Sequence, residues 1–240
     1  MLSKEQNVFL DTVLATIKGR DRELKEGSIF YRAQLGIDIC DRTDNDGNWI
    51  EEDMLGFRAS RMKPLVDRAK EGRANPSGIP VLYVGTTVRT AISEVRPWGG
   101  ANVSLATCKL LSPLRVLDLS LGHGKSSLSG SIFSYILGVK ELTAQQKEKA
   151  VWTDIDNAFS TPVTRSDDKA NYAPTQILAE LFRSAGYDTI AYKSHFGDEG
   201  YNIAIFDLDS VDVVSCAPYQ VKTINIIAEQ VNNAWYKTST

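Results

Sequence analysis

Histidine and cysteine are scarce in this sequence, which contains 2 histidines and 3 cysteines among 240 residues. Cys40, Cys108 and Cys216 are widely separated and odd in number, so they match neither a disulfide framework nor a zinc-ligand motif. The two histidines, His123 and His195, are too few for a histidine-based metal cluster. We therefore expect reduced thiols and no bound metal, with Cys108 in the core because it lies in an apolar alternation.

Long apolar runs and a strong charge of one sign are also absent. No stretch reaches the length of a membrane span, and the first residues are charged and amphipathic, unlike a signal peptide. The net charge of −3, from 27 basic and 30 acidic residues, offers no broad basic face for nucleic acid. These features predict a cytoplasmic protein that binds neither a membrane nor nucleic acid directly, and they leave the oligomeric state open.

Generic catalytic motifs are missing as well. The sequence has no phosphate-binding loop, no G-x-S-x-G nucleophile elbow and no H-E-x-x-H zinc motif. The polar stretch 36–53 is acidic, but its glycine and glutamate do not have the spacing of an EF-hand calcium loop. We interpret this stretch as an inserted loop or a solvated hairpin that turns at 45–48.

Apolar residues recur at helical spacing in four places. The first helix begins after Ser3, and the second is capped by Thr86 or Thr87 and ended by Pro97. The third includes 151–159, and the fourth, at 172–186, has Glu180 beside its apolar stripe, which we expect to be a buried structural partner. Strands are predicted at 28–34, 81–85, 102–110, 114–120, 187–192 and 201–209.

This order of elements predicts a mixed α+β domain in which helices flank a mostly antiparallel sheet. We divide the chain into a helical extension at 1–27, a main domain at 28–216 and a C-terminal extension at 217–240. Within the main domain, insertions are expected near 36–53 and 120–171.

Six polar or aromatic residues carry the chemical interest of the sequence: Arg32, Arg73, Tyr83, Glu94, Ser194 and His195. Each has an ordinary interpretation when taken alone. An arginine on a strand often forms a surface ion pair, a glutamate near a helix end is usually solvated, and a serine before a strand often belongs to a turn. The order and spacing of the whole set are what indicate a site.

Three stretches that contain these residues resemble the RES domain family, which is named for an arginine, a glutamate and a serine. They are FYRA, GRANPSGIPVLYVGTTVRTAISEVRP and PTQILAELFRSAGYDTIAYKSHFGDEGYNIAIFD. Together they bracket residues 28 to about 215, and the middle stretch is the most specific of the three. The chain departs from the family pattern at His195, where many members have a second serine.

The resemblance implies an ADP-ribosyltransferase-like fold with a split, mostly antiparallel sheet. It also implies cleavage of NAD⁺ at the nicotinamide–ribose bond, by a glycohydrolase that uses water or a phosphorylase that uses phosphate as co-substrate, with no further cofactor. Many members resemble toxins of toxin–antitoxin pairs, so a helix-turn-helix antitoxin is the partner that the resemblance implies.

The residues suit these implied roles. A carboxylate, Glu94, can stabilise the positive charge that develops on the ribose. Arg32 and Arg73 can bind the pyrophosphate through paired donors. Tyr83 offers an aromatic face. Substrate contacts are expected from Asn75, Ser194 and His195.

Two other functions compete with this hypothesis. A protein ADP-ribosyltransferase would use the same carboxylate and arginines, although transferases that modify arginine often have an acid two positions before the catalytic glutamate, where this chain has Ile92. A non-catalytic interaction domain would not need the complete set of site residues.

Overall fold

The computed structural model describes residues 4–66, 68–121, 143–161, 172–196, 200–226, 228–230, 232 and 234. Its helices are α1 Lys4–Ala15, α2 Ala59–Met62, α3 Val88–Glu94, α4 Ala144–Ser160 and α5 Ala173–Ser184, with a short 3₁₀ turn at Leu208–Ser210. Its strands are β1 Asp21–Leu24, β2 Ile29–Leu35, β3 Asp38–Thr43, β4 Trp49–Leu55, β5 Leu82–Gly85, β6 Asn102–Leu110, β7 Leu114–Asp118, β8 Thr189–Lys193, β9 Tyr201–Ile205 and β10 Val211–Gln220.

Eight strands form one sheet in the order β1-β7-β8-β9-β5-β2-β6-β10. The β7–β8 pair is parallel, and the other neighbouring strands in this sheet are antiparallel. This confirms the predicted mixed α+β fold with a mostly antiparallel sheet.

The sheet is weakly joined at its centre. β2 pairs with β6 over the whole of Ile29–Leu35, and β5 pairs with β9 over Leu82–Gly85. Between β2 and β5, however, the register contains one residue pair, Tyr31 with Gly85. The two strands therefore separate on either side of this pair, and the sheet opens there.

Two hydrophobic clusters cover the two faces of the sheet. On one face, α4 and α5 bring Trp152 and Phe182 together, with their ring centroids 6.3 Å apart, over Tyr192 of β8. Ala191, the preceding residue of β8, belongs to the other cluster because successive side chains of a strand point to opposite faces.

Each predicted helix and strand has a counterpart where the structure describes the chain. The strand predicted at 114–120 ends at Asp118, and the one predicted at 201–209 ends at Ile205, before the 3₁₀ turn Leu208–Ser210. Thr87 rather than Thr86 caps α3, since its hydroxyl accepts a hydrogen bond from the Thr90 amide. α4 begins earlier than its apolar stripe indicated, because Thr143 and Gln146 form a reciprocal capping box. Ser3 and most of the predicted 120–171 insertion lie outside the described residues.

The expectation that Glu180 is a buried structural partner was wrong. Glu180 is exposed on α5, and Ile177 on the same helix is 44 % exposed. The buried stripe of α5 is therefore narrower than its apolar residues suggested, and it is formed by Leu178, Ala179 and Phe182.

The stretch 36–53 is mostly a hairpin rather than an irregular loop. β3 and β4 pair with each other and form a two-stranded sheet of their own. At the turn, a carboxylate oxygen of Asp44 accepts hydrogen bonds from the amides of Asp46 and Asn48 at 2.9 and 2.8 Å. Most hairpin residues are exposed, so this element contributes little to the core.

None of the helices that the structure describes is long and apolar enough to cross a membrane.

The thiols should differ sharply in reactivity. Burial raises the pKa of the Cys108 thiol to about 11, and its side chain has 0 % exposure, whereas Cys40 is exposed on the hairpin. Because the thiolate is the nucleophile, iodoacetamide should label Cys40 in the folded protein and Cys108 only after unfolding. Mass spectrometry of the labelled peptides measures this. Equal labelling rates for the two residues in the folded protein would contradict the structure.

Candidate active site

A cavity of about 260 Å³ lies where β2 and β5 separate. Its walls come from both halves of the opened sheet and from α3. The residues of chemical interest in its lining are Tyr31, Arg32, Tyr83, Glu94, Tyr192 and Asn202. The opening in the sheet therefore brings together three of the residues that the sequence singled out, Arg32, Tyr83 and Glu94.

A second groove, of about 340 Å³, runs between α1, α4 and α5. It is lined by apolar side chains such as Phe9, Val151 and Ile177, and Asp154 is the one charged residue in its lining. This groove lacks the opposed charges found in the cavity between β2 and β5, so we place the candidate active site in the latter.

Glu94 is the last residue of α3, and two side chains hold its carboxylate. Oε1 accepts a hydrogen bond from the Ser194 hydroxyl at 2.9 Å and another from the Asn202 amide nitrogen at 2.6 Å. Asn202 is buried, with 6 % exposure, whereas Glu94 as a whole is exposed. The carboxylate is thus anchored at one oxygen while its residue stays accessible from the cavity.

The position of Glu94 is unfavourable for an acid in a free helix. The carbonyl groups at a helix C-terminus carry partial negative charge, which repels a carboxylate. The hydrogen bonds from Ser194 and Asn202 offset this repulsion because they favour the charged form. An acid retained against the helix dipole and held by two buried donors is more typical of a functional group than of a solvated surface charge.

Close packing sets the depth of α3 above the sheet. A Cβ atom on Gly85 would lie 2.8 Å from the Ala91 amide nitrogen, and one on Gly200 would lie 2.9 Å from the Thr90 Cβ atom. Both distances are shorter than van der Waals contact, so α3 can approach β5 and β9 this closely only over glycine. This approach brings Glu94 within reach of Asn202.

Arg32 supplies a cation to the opposite wall. The residue is half-buried, but its Nη1 atom is fully buried and has no hydrogen-bond partner within the described part of the chain. Desolvation lowers the pKa of the Arg32 guanidinium. A buried cation without a counter-charge is costly, so this position favours the binding of an anion.

The Tyr83 hydroxyl faces the 70–79 loop. It donates to Oδ1 of Asn75 at 2.7 Å and accepts from the Ala74 amide at 2.9 Å. Burial raises the pKa of Tyr83 far above its usual value, so the hydroxyl stays protonated. What Tyr83 contributes to the cavity is therefore its ring.

Asn75 is placed inside the loop rather than in the cavity lining. It is 1 % exposed, and its amide nitrogen donates to the carbonyl groups of Lys70, Pro76 and Ile79. Gln176 of α5 reaches the same loop and donates to the carbonyls of Gly72 and Asn75 at 3.0 Å each. The conspicuous GRANPSG motif thus builds a rigid loop that α5 holds in place.

Arg73 also points away from the cavity lining. Its guanidinium donates to the carbonyl oxygens of Phe159 and Thr161, at the end of α4. Carbonyls at a helix C-terminus have no partner in the helix itself, and a cation there also complements the helix dipole. Arg73 therefore joins the loop to α4 in this structure.

Ser194 and His195 have different surroundings despite being adjacent. Ser194 is buried, and its hydroxyl accepts from the Phe196 amide at 3.3 Å while it donates to Glu94. His195 is exposed and packs edge-on against the Phe196 ring, with centroids 5.5 Å apart. The structure thus brings Ser194, but not His195, into contact with Glu94.

Sequence reasoning missed Asn202, Tyr192 and Gln176. A signal for Asn202 was present, because it is the polar residue of the otherwise apolar strand segment NIAIF, and a polar residue in a buried strand needs a partner. Tyr192 and Gln176 gave no such signal. Within the described ranges, no cluster of three or more histidine, cysteine or acidic residues could hold a metal ion.

Comparison with known proteins shows which family and which solved structure this chain is similar to. The model of the RES domain matches residues 54–226, which is more than half of the chain. No curated protein matches the sequence significantly. Among solved structures, a chain of the crystal structure of the M. tuberculosis MbcT–MbcA toxin–antitoxin complex is 14 % identical, with 88 % of this chain and 92 % of that chain covered and a TM-score of 0.43.

Removal of the Tyr83 hydroxyl should destabilise the protein. In Tyr83→Phe, Asn75 Oδ1 and the Ala74 amide lose a buried partner, and an unsatisfied buried polar group costs about 1–3 kcal/mol. Urea unfolding followed by circular dichroism gives the free energy of unfolding. Tyr201→Phe, at an exposed tyrosine, is the matched control. If both variants unfold like the wild type, the hydroxyl does not hold the loop.

Proposed function

Since this chain belongs to the RES domain family, we propose that it cleaves the nicotinamide–ribose bond of NAD⁺ and acts as a toxin. The observation that carries this proposal is the anchored Glu94 carboxylate, which lines a cavity whose other wall holds Arg32, and the buried Nη1 of this arginine has no partner among the residues that the structure describes. A substrate that develops positive charge near one end and carries phosphates elsewhere fits this pair of charges.

The chemistry of NAD⁺ matches the role proposed for Glu94. The nicotinamide ring is cationic before cleavage and departs neutral, so its departure needs no acid. The ribose then becomes an oxocarbenium ion, as in glycoside cleavage. A carboxylate already oriented by Ser194 and Asn202 stabilises that ion without reorganising during the reaction.

Arg32 is the proposed contact for the pyrophosphate. A guanidinium presents paired N–H donors that match phosphate oxygens, and its buried Nη1 would gain a partner when the substrate binds. The rings of Tyr31, Tyr83 and Tyr192 line the same cavity and offer aromatic surface to a flat nicotinamide or adenine ring.

The loop residues are proposed to support the site indirectly. Two of the N–H donors of Arg73 are already used by carbonyls at the end of α4, and Asn75 would need to leave the interior of its loop to reach a substrate. We therefore propose that Arg73 and Asn75 act mainly by holding the loop against which the Tyr83 hydroxyl packs, and that Arg32 is the principal cation. His195, being exposed, remains available to the substrate at the rim.

The residue two positions before Glu94 argues against a transferase that modifies arginine. Ile92, two residues before Glu94, packs among the apolar side chains of Ala91, Val103 and Leu105. An acid at that position is frequent in transferases that modify arginine. We propose water or phosphate as the acceptor, and an antitoxin of the helix-turn-helix type as the partner that restrains the enzyme in the cell.

Loss of the Glu94 charge should abolish activity. Glu94→Gln keeps the size of the side chain but removes the charge opposite the oxocarbenium ion, so NAD⁺ cleavage should fall by on the order of a hundredfold or more. Release of nicotinamide, measured by liquid chromatography, and arrest of bacterial growth on expression should both be lost.

Glu180→Gln, at an exposed glutamate on α5, is the control and should behave like the wild type. Full NAD⁺ turnover by Glu94→Gln would remove this residue from the mechanism. A wild-type enzyme that is inactive after EDTA treatment and recovers with zinc or magnesium would show that the reaction needs a metal.

The acceptor can be identified from the product. Arg32 could bind the pyrophosphate of NAD⁺ while the part of the cavity near Ser194 binds an inorganic anion. We therefore expect millimolar phosphate to stimulate NAD⁺ loss and to give ADP-ribose 1″-phosphate. Mass spectrometry distinguishes this product from ADP-ribose. Sulfate at equal ionic strength controls for a general salt effect. Plain ADP-ribose formed at an unchanged rate would identify water as the acceptor.

A further inference from the structure

We propose that Asn202 is a positioning residue that fixes the orientation of the Glu94 carboxylate and leaves its second oxygen for the substrate. The proposal rests on the proposed NAD⁺ cleavage, and it assigns a role to a residue outside the arginine, glutamate and serine for which the family is named.

The direction of the hydrogen bond between Asn202 and Glu94 determines which end of the amide faces the carboxylate. A carboxylate can only accept, so the Asn202 side chain must present its amide nitrogen, 2.6 Å from Glu94 Oε1. Ser194 donates to the same oxygen at 2.9 Å. Among the described residues no donor contacts Oε2. Two donors on Oε1 therefore restrict rotation of the carboxylate and direct Oε2 away from Ser194 and Asn202.

The backbone holds the two donors in place to different degrees. Asn202 lies within β9 and is paired on both sides, with Gly85 of β5 and Tyr192 of β8. Ser194 follows the end of β8 and leads into the chain segment before β9. The Asn202 amide, on a strand paired on both sides, is therefore held more firmly than the Ser194 hydroxyl, which is the second donor to Glu94.

The burial of the Asn202 amide also indicates a specific role for its contact with Glu94. A buried amide without a partner would cost stability, and an apolar residue would suit the strand if no partner were needed. Asn202 is 6 % exposed between apolar neighbours, and its amide nitrogen makes its contact with Glu94. Strand β9 thus carries a polar side chain whose observed partner is the proposed catalytic acid.

Kinetics of Asn202→Ala test the proposal. Misplacement of a catalytic group by about 1 Å can cost on the order of a hundredfold, so kcat for NAD⁺ cleavage should fall by that order. KM should change little, because the contacts of Arg32 with the substrate are untouched. Asn157→Ala, at an exposed asparagine on α4, is the matched control. A wild-type kcat in Asn202→Ala would overturn the proposal.

Asn202→Asp provides a readout that a merely structural role would not change. It keeps the shape of the side chain but replaces the donor by a second carboxylate beside Oε1, and two carboxylates this close share a proton. The acid limb of the kcat profile should therefore move to higher pH. The other ionisable residues in the cavity lining, which are Tyr31, Arg32, Tyr83 and Tyr192, are the same in this variant. An unchanged pH profile would count against the proposal even if Asn202→Ala failed to fold.

The positioning role and the proposed reaction can fail separately. A wild-type protein that leaves NAD⁺ intact refutes the reaction alone, and a crystal structure of Asn202→Ala then decides the positioning role. Displacement of the Glu94 carboxylate from Ser194 supports that role. A carboxylate that keeps its place without the amide overturns it.

Discussion

The separation of β2 from β5 is the constraint on which the candidate site depends. A sheet paired along its full width would bring these strands within hydrogen-bonding distance and leave no concave space between them. Here one pair, Tyr31 with Gly85, keeps the two halves in one sheet, and the cavity occupies the opening. Each half then contributes one charge, Arg32 from β2 and Glu94 from the helix that follows β5.

Topology explains why residues far apart in the sequence meet at this opening. Glu94 and Ser194 are separated by 100 positions, yet β5, β9 and β8 are consecutive in the sheet. The helix that carries Glu94 packs against β2, β5, β6 and β9, and Asn202 lies on β9 within reach of Glu94. The polar contacts of the site therefore join α3 to one residue on β9 and one residue just after β8.

Local patterns in the sequence were sufficient for most of the secondary structure. The apolar stripe of α5 and the alternation in β6 are strong signals, and the capping threonine of α3 lies where the pattern placed it within one residue. The family motif placed Glu94 and Arg32 in one site. Their meeting was expected from the motif, not from any property of the two residues themselves.

Other features depended on contacts that no local pattern contains. The engagement of Arg73 with α4 depends on where that helix ends in space, and the burial of Asn75 depends on the folding of its loop around Tyr83. Glu180 was misjudged because the edge of an apolar stripe faces solvent or core according to how the neighbouring helices pack. The partnership of Asn202 with Glu94 required the strand order.

The glycines beneath α3 also restrict the substitutions that this protein can accept during evolution. Gly85 is the last residue of β5 and Gly200 directly precedes the neighbouring strand β9, and at both positions a single added methyl group would collide with α3. Lifting the helix to make room would carry Glu94 away from the strand that holds Asn202. These two positions therefore have no room for a side chain, and a lineage that lost either glycine would have to rebuild the helix above it.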